Sequence, residues 1–141
     1  ICDEWLVFQN FAKWYDENKY ECEGRLHVDK DILHPGNKVY SPENCILLPQ
    51  RINELFSVNS RGTSNLPQGI REAVTGYSAS FQGKHLGTYK TLREACEAYI
   101  NRKEQIIRDV ANEYKNIIPE IAYNALMNYK MDVDRFMEKS Y

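Results

Sequence analysis

Apolar positions recur along this chain with two different periods, and the change of period divides it. From Asp3 to Tyr20, Trp5, Phe8, Phe11, Ala12 and Tyr15 fall at helical spacing, with Trp14 close by. That spacing predicts an amphipathic helix whose aromatic face needs a partner. Arg25 to Leu33 reads as a strand, Pro35-Gly36-Asn37 as a turn, and Lys38-Val39-Tyr40 as a short returning strand. Ser41-Pro42-Glu43-Asn44 marks a cap or turn, and Leu48 to Phe56 has the spacing of a short helix with Pro49 in its first turn. The stretch Ser57 to Asn65 has no periodicity and is rich in serine, asparagine, glycine and threonine, the composition of a linker.

Beyond the linker the period shortens to two. Gly69 to Glu72, Tyr77 to Phe81 and Lys84 to Tyr89 read as strands, separated by Gly76 and by Gln82-Gly83 at hairpin spacing. Thr91 then opens a long helix, with Glu94 three residues on completing a capping box. Ala95, Ala98, Tyr99, Arg102, Ile106, Val110 and Tyr114 continue it at helical spacing, with Tyr89, Tyr99 and Leu86 expected between sheet and helix. A last short helix is predicted from Pro119 to Tyr129, followed by a frayed tail.

Composition narrows what such a chain can be. With 141 residues and 43% hydrophobic content it can hold one ordinary domain or two very small ones. No apolar run approaches the roughly 18 residues of a membrane span. The first residue is Ile1, and the chain is expected to begin inside a longer protein. Cys2, Cys22, Cys45 and Cys96 lack the close spacing of a zinc knuckle or a redox pair, which points to reduced thiols in a reducing compartment. The net charge of −2 is low for a nucleic-acid binder, but it is unevenly placed. Residues 1–59 carry six basic and ten acidic side chains, a net of −4, whereas residues 60–115 carry nine and six, a net of +3. Phosphate contacts are therefore expected in the middle segment.

The first segment contains an acidic strand end, Val28-Asp29-Lys30-Asp31-Ile32, and two asparagines nine positions apart, Asn44 and Asn53. A carboxylate and an amide oxygen suit a hard divalent ion, Mg²⁺ or Mn²⁺, better than zinc. The words Cys2-Asp3-Glu4-Trp5, Phe8-Gln9-Asn10-Phe11, Asp29-Lys30-Asp31-Ile32-Leu33, Gly36-Asn37-Lys38, Tyr40-Ser41-Pro42-Glu43 and Pro49-Gln50-Arg51-Ile52-Asn53 together resemble the HNH homing endonucleases of bacteriophages. The resemblance implies a two-strand-plus-helix metal finger in which Asp29 and Asn53 hold the metal and Asn44 fastens the loop. It also implies that the missing amino-terminal part precedes Ile1. Where the family carries its general-base histidine, this chain has Lys30. The flanking acids Asp29 and Asp31 favour the charged ammonium, so the natural role of Lys30 is to stabilise the phosphate, and His27 is the alternative base. His34, in the Pro-Gly turn, is expected to face solvent.

Three strands and a helix can bury one sheet face and leave the other open to a DNA groove. Leu66-Pro67-Gln68-Gly69-Ile70, Gly76-Tyr77-Ser78-Ala79, Gly83-Lys84-His85-Leu86-Gly87-Thr88-Tyr89 and Glu94-Ala95-Cys96-Glu97-Ala98-Tyr99 resemble the ethylene-response-type (AP2/ERF-like) DNA-binding domain that phage endonucleases also carry. By position Arg71, Tyr77, Ser78, Ser80, Lys84 and His85 would face double-stranded DNA. Members of that family often carry more basic residues there.

These readings combine into an α+β protein: an HNH ββα-metal finger with a preceding helix, joined to a three-stranded antiparallel sheet packed on a long helix. The expected boundaries are 1–57 for the finger, 58–65 for the linker, 66–115 for the DNA-binding domain and 116–141 for a carboxy-terminal helix and tail. The implied activity is site-specific, metal-dependent hydrolysis of DNA in the host-cell cytoplasm, away from membranes. A monomer is favoured, and one active site per chain favours nicking a single strand unless the protein dimerises. The alternatives are a DNA-binding protein whose finger has lost catalysis, and a module whose sheet binds protein.

Overall fold

Apolar runs that cannot stay in water organise two sets of strands and helices in the computed structural model, which describes residues 1–34, 38–56 and 65–138. The protein is of mixed α+β type, with a two-stranded and a three-stranded antiparallel sheet among the described residues. It divides into two compact units that are discontinuous in sequence: Ile1–Phe56 with Arg108–Asn128, and Ser57–Ile107 with Tyr129–Tyr141. Among the described residues no helix is long and apolar enough to cross a membrane. The predicted Pro-Gly-Asn turn and nearly all of the predicted linker lie outside the described residues.

The first unit begins with a 3-10 turn, Asp3–Leu6, followed by α1, Phe8–Asn18, where the spacing predicts one continuous helix. The break is at Val7, whose backbone is extended. Positions six apart point to different sides of an unbroken helix. The break lets Trp5 fold back onto Phe11 and Trp14, at ring-centroid distances of 5.1 and 4.8 Å. Trp5 is buried, whereas Ile1, Leu6 and Phe8 beside it are exposed.

Strand β1, Leu26–Asp29, pairs antiparallel with β2, Ile46–Pro49, in the register Leu26 to Pro49 and Asp29 to Ile46. The returning strand is therefore Ile46–Pro49 and not Lys38–Tyr40, which forms no strand. Ile46, Leu47, Leu48 and Pro49 are all buried, while Lys38 and Val39 stay exposed, so the strand forms where most apolar surface leaves water. The Tyr20 hydroxyl donates to the Leu47 carbonyl at 2.6 Å, and the Gln50 N–H donates to the Arg25 carbonyl at 2.8 Å. Pro49 caps α2, Gln50–Glu54, which is shorter than the predicted Leu48–Phe56 because Leu48 belongs to the strand. Ile52, Leu55 and the strand residues form the core of this unit, and Ile118, Ala122 and Leu126 add to its buried side chains. The last two come from α4, Glu120–Met127. Arg51 forms an ion pair with Glu113 in the same unit.

In the second unit β3, Ile70–Ala73, β4, Gly76–Phe81, and β5, Lys84–Tyr89, form a meander. Gln82 and Gly83 both have positive φ, 50° and 80°, as the tight hairpin turn between β4 and β5 requires. Gly69 is required by contact: its φ is +81°, and an added Cβ would lie 2.4 Å from the Ser80 carbonyl oxygen and 2.6 Å from the Tyr99 ring. Helix α3, Leu92–Glu113, which belongs to this unit through Ile107, starts with the Glu94 N–H donating to the Thr91 hydroxyl at 3.2 Å. Tyr99 of this helix meets Phe81 of the sheet edge-on at 5.5 Å. Leu86 and Tyr89 are only half-buried.

The predicted frayed tail is instead partly helical, because it has an aromatic anchor. Helix α5, Val133–Glu138, stacks Phe136 on Tyr99 at 5.0 Å with 8° between the rings. Glu104, buried on α3, accepts the Met131 N–H at 2.9 Å and lies 3.6 Å from the Lys130 ammonium.

Candidate functional site

Asp29 ends β1 and is 9% exposed. One of its carboxylate oxygens, Oδ2, accepts the N–H groups of Asp31 at 3.1 Å and Ile32 at 2.7 Å, so the carboxylate shapes the turn that follows the strand. Burial pushes its pKa above the ordinary aspartate range, and the two N–H donors only partly offset this. Among the described residues no cationic side chain forms an ion pair with Asp29. The neighbouring Lys30 Nζ lies 3.0 Å from Asp31 Oδ2 and 5.7 Å from the centre of the Tyr40 ring, and its charge weakly favours the Asp29 carboxylate. The Asp31 carboxylate keeps Lys30 protonated, with its pKa above the usual lysine value. A lysine held in this state offers positive charge and accepts no proton.

His27 pairs with Leu48 in the unbroken β1–β2 register, and two residues along the same strand put it on the face of Asp29. It is half-buried. His34 is exposed. Asn53 is half-buried on α2, which packs against both strands. Asn44 lies in the turn before β2, where the Ser41 carbonyl accepts the N–H groups of Asn44 at 3.2 Å and Cys45 at 3.0 Å. Tyr20 and Ser41 thus support this region through bonds that no spacing rule in the sequence indicates. Burial raises the pKa of Tyr20, which keeps its hydroxyl protonated as the donor to Leu47.

Among the described residues no three His, Cys, Asp or Glu side chains cluster as a metal site. The donors available are oxygens: the Asp29 carboxylate, whose Oδ1 is not used by the turn, and the Asn53 amide. Oxygen donors of this kind are the chemistry of a hard divalent cation. They do not fit zinc.

On the sheet, register decides which side chains share a face. Arg71 pairs with Ser78 and Ser78 with Thr88, giving one row across all three strands, and Ser80 pairs with His85 beside it. This face alternates with the one carrying buried Ile70, Ala79 and Phe81. Arg71, Thr88 and His85 are exposed, and Ser78 and Ser80 are half-buried. Tyr77 and Lys84 are not brought to this face, since their partners are Tyr89 and Phe81. Thr88 enters the set only through the pairing. A register shift between Ala79 and Ser80 puts Ser80 opposite His85, which strict alternation does not reveal.

The chain matches no protein-family model, no curated protein and no solved structure.

Proposed function

We propose that this protein is a site-specific, metal-dependent DNA endonuclease of the HNH homing type, with an AP2/ERF-like sheet as its reader. The observation that carries the hydrolytic part is Asp29, a buried carboxylate with raised pKa and no ion-pair partner among the described residues. Burying a carboxylate is costly unless a cation offsets it. Asp29 and Asn53 would hold Mg²⁺ or Mn²⁺, which when bound supplies charge to polarise the scissile phosphate. His27 would take the proton from the attacking water, since it shares the face of Asp29. Lys30 would add positive charge for the developing phosphorane. The open row of Arg71, Ser78, Thr88, Ser80 and His85 supports double-stranded DNA as the partner.

The test is cleavage of a supercoiled plasmid library in Mg²⁺ or Mn²⁺, with duplex binding measured in parallel. Wild type should cut, and Asp29→Asn should lose cutting while retaining binding. His27→Ala should lose about 100-fold or more in rate. A second reading is a DNA-binding protein with an inactive finger, and Lys30 favours it: a protonated lysine occupies the place of the family's base. Binding without cleavage in either metal selects that reading.

A further inference from the structure

Exposed apolar side chains gather at one place in the first unit. Leu6 and Phe8 are 71% and 72% exposed, and Val7 between them is 51% exposed. With Trp5, Phe11, Val28 and Tyr40, Leu6 and Phe8 line a groove of about 430 Å³, within the size range of binding pockets. The Cys2 N–H donates to the Tyr40 carbonyl at 2.9 Å, which ties the amino-terminal turn to the opposite wall. Apolar surface collected in this way marks an interaction site. Trp5 is 7% exposed, and its indole N–H is buried with no hydrogen-bond acceptor among the described residues. A polypeptide carbonyl entering the groove can meet that donor once the ring turns, whereas a hydrocarbon chain brings no acceptor.

Charge selects among polypeptides. The unit Ile1–Phe56 with Arg108–Asn128 carries 13 acidic and eight basic side chains, a net of −5. On α1, Lys13 pairs with Glu17 and Lys19 with Asp16. Asp3 and Glu4, exposed on the turn that holds Trp5 and Leu6, have no ion-pair partner among the described residues. Lys38, exposed beside Tyr40, offsets one of these charges. The same face of a second copy would set −5 against −5, while a cationic segment is drawn in. We propose that this groove docks a segment of a partner protein in which apolar or aromatic side chains are flanked by lysine or arginine. The apolar side chains pack against Leu6 and Phe8, and the cations meet Asp3 and Glu4 at the rim.

The experiment selects peptides from a displayed random library on the full chain, then measures the affinity of an enriched peptide by fluorescence anisotropy. Enriched peptides should combine apolar anchors with net positive charge. Phe8→Asp should weaken binding about tenfold or more even though it adds negative charge, because the anchor contact is lost. Leu6→Asp, at an equally exposed position, should do the same and serves if Phe8→Asp fails to fold. Asp3→Asn/Glu4→Asn should weaken binding by up to about fivefold and flatten its dependence on salt. Circular dichroism of the variants should match wild type, since all four positions are exposed. No enrichment, enriched peptides without net positive charge, or wild-type affinity in both the Phe8→Asp and Leu6→Asp variants overturns the proposal. So does a dimer in sedimentation equilibrium that Phe8→Asp dissolves, which gives the face to a second copy.

Discussion

At the residue scale Asp29 does two things at once. Its Oδ2 organises the turn through two N–H donors, while burial makes its charged form costly. Because burial raises its pKa, the folded state holds the proton to higher pH than the unfolded chain. The contribution of this group to stability is therefore present below the ordinary aspartate pKa and is lost as pH rises through the native value. In chelator at about pH 7, Asp29→Asn should melt higher than wild type, with the gap closing toward about pH 4. Asp29→Ala should instead lose about 1–3 kcal/mol, because it leaves the N–H donors of Asp31 and Ile32 without their acceptor. Thermal melts across pH check both. Adding Mg²⁺ should raise the melting temperature of wild type and not that of Asp29→Asn. A wild type indifferent to Mg²⁺ and Mn²⁺ would remove Asp29 as a metal ligand.

At the element scale α5 shows what holds a short helix in place. Six residues cannot sustain a helix by backbone bonding alone. Two kinds of contact tie it down: the exposed pair Arg93–Asp134 and the buried stack of Phe136 on Tyr99. Exposed ion pairs contribute about 0–1 kcal/mol, whereas truncating a buried phenylalanine costs about 3–5 kcal/mol. Urea denaturation should therefore show Asp134→Asn within about 1 kcal/mol of wild type and Phe136→Ala about 3 kcal/mol less stable. Equal effects would mean that the ion pair carries the docking. The same contrast of burial against local pattern explains why Ile46–Pro49 and not Lys38–Tyr40 became the second strand. Short-range turn signals favoured the nearer segment, but the farther one buries four consecutive apolar residues.

At the scale of the whole molecule the compact units cross the sequence. Residues 108–128 join 1–56, and 129–141 join 57–107. Ile118, Ala122 and Leu126, all at most 5% exposed, thus lie in the unit of the β1–β2 hairpin. Both tryptophans of the chain, Trp5 and Trp14, are in that unit, so their fluorescence reports on it. A chain ending at Ile107 should show red-shifted, solvent-exposed tryptophan emission, while one ending at Asn128 should keep the emission of the full chain. Identical spectra for both would show that the first unit is complete without the later residues.

Periodicity alone determined much of this protein: the helical amino terminus, a strand closed by Asp29, the three strands around Gln82-Gly83 and the long helix opened by Thr91. These follow from local rules, because side-chain alternation, turn residues and caps act over only a few positions. Candidate chemistry was named from residue type and from the HNH and AP2/ERF resemblances. The structure places His27 on the face of Asp29 and Arg71 in an exposed row with Ser78 and Thr88. Tertiary structure decided the rest. Only strand pairing put Thr88 in line with Arg71 and Ser78 and sent Tyr77 and Lys84 away from them. Only burial made the charged form of Asp29 costly, and only the folded turn brought Lys30 against Asp31 and the Tyr40 ring. Long-range pairing and desolvation depend on which distant residues share a core, and a local pattern carries no information about that.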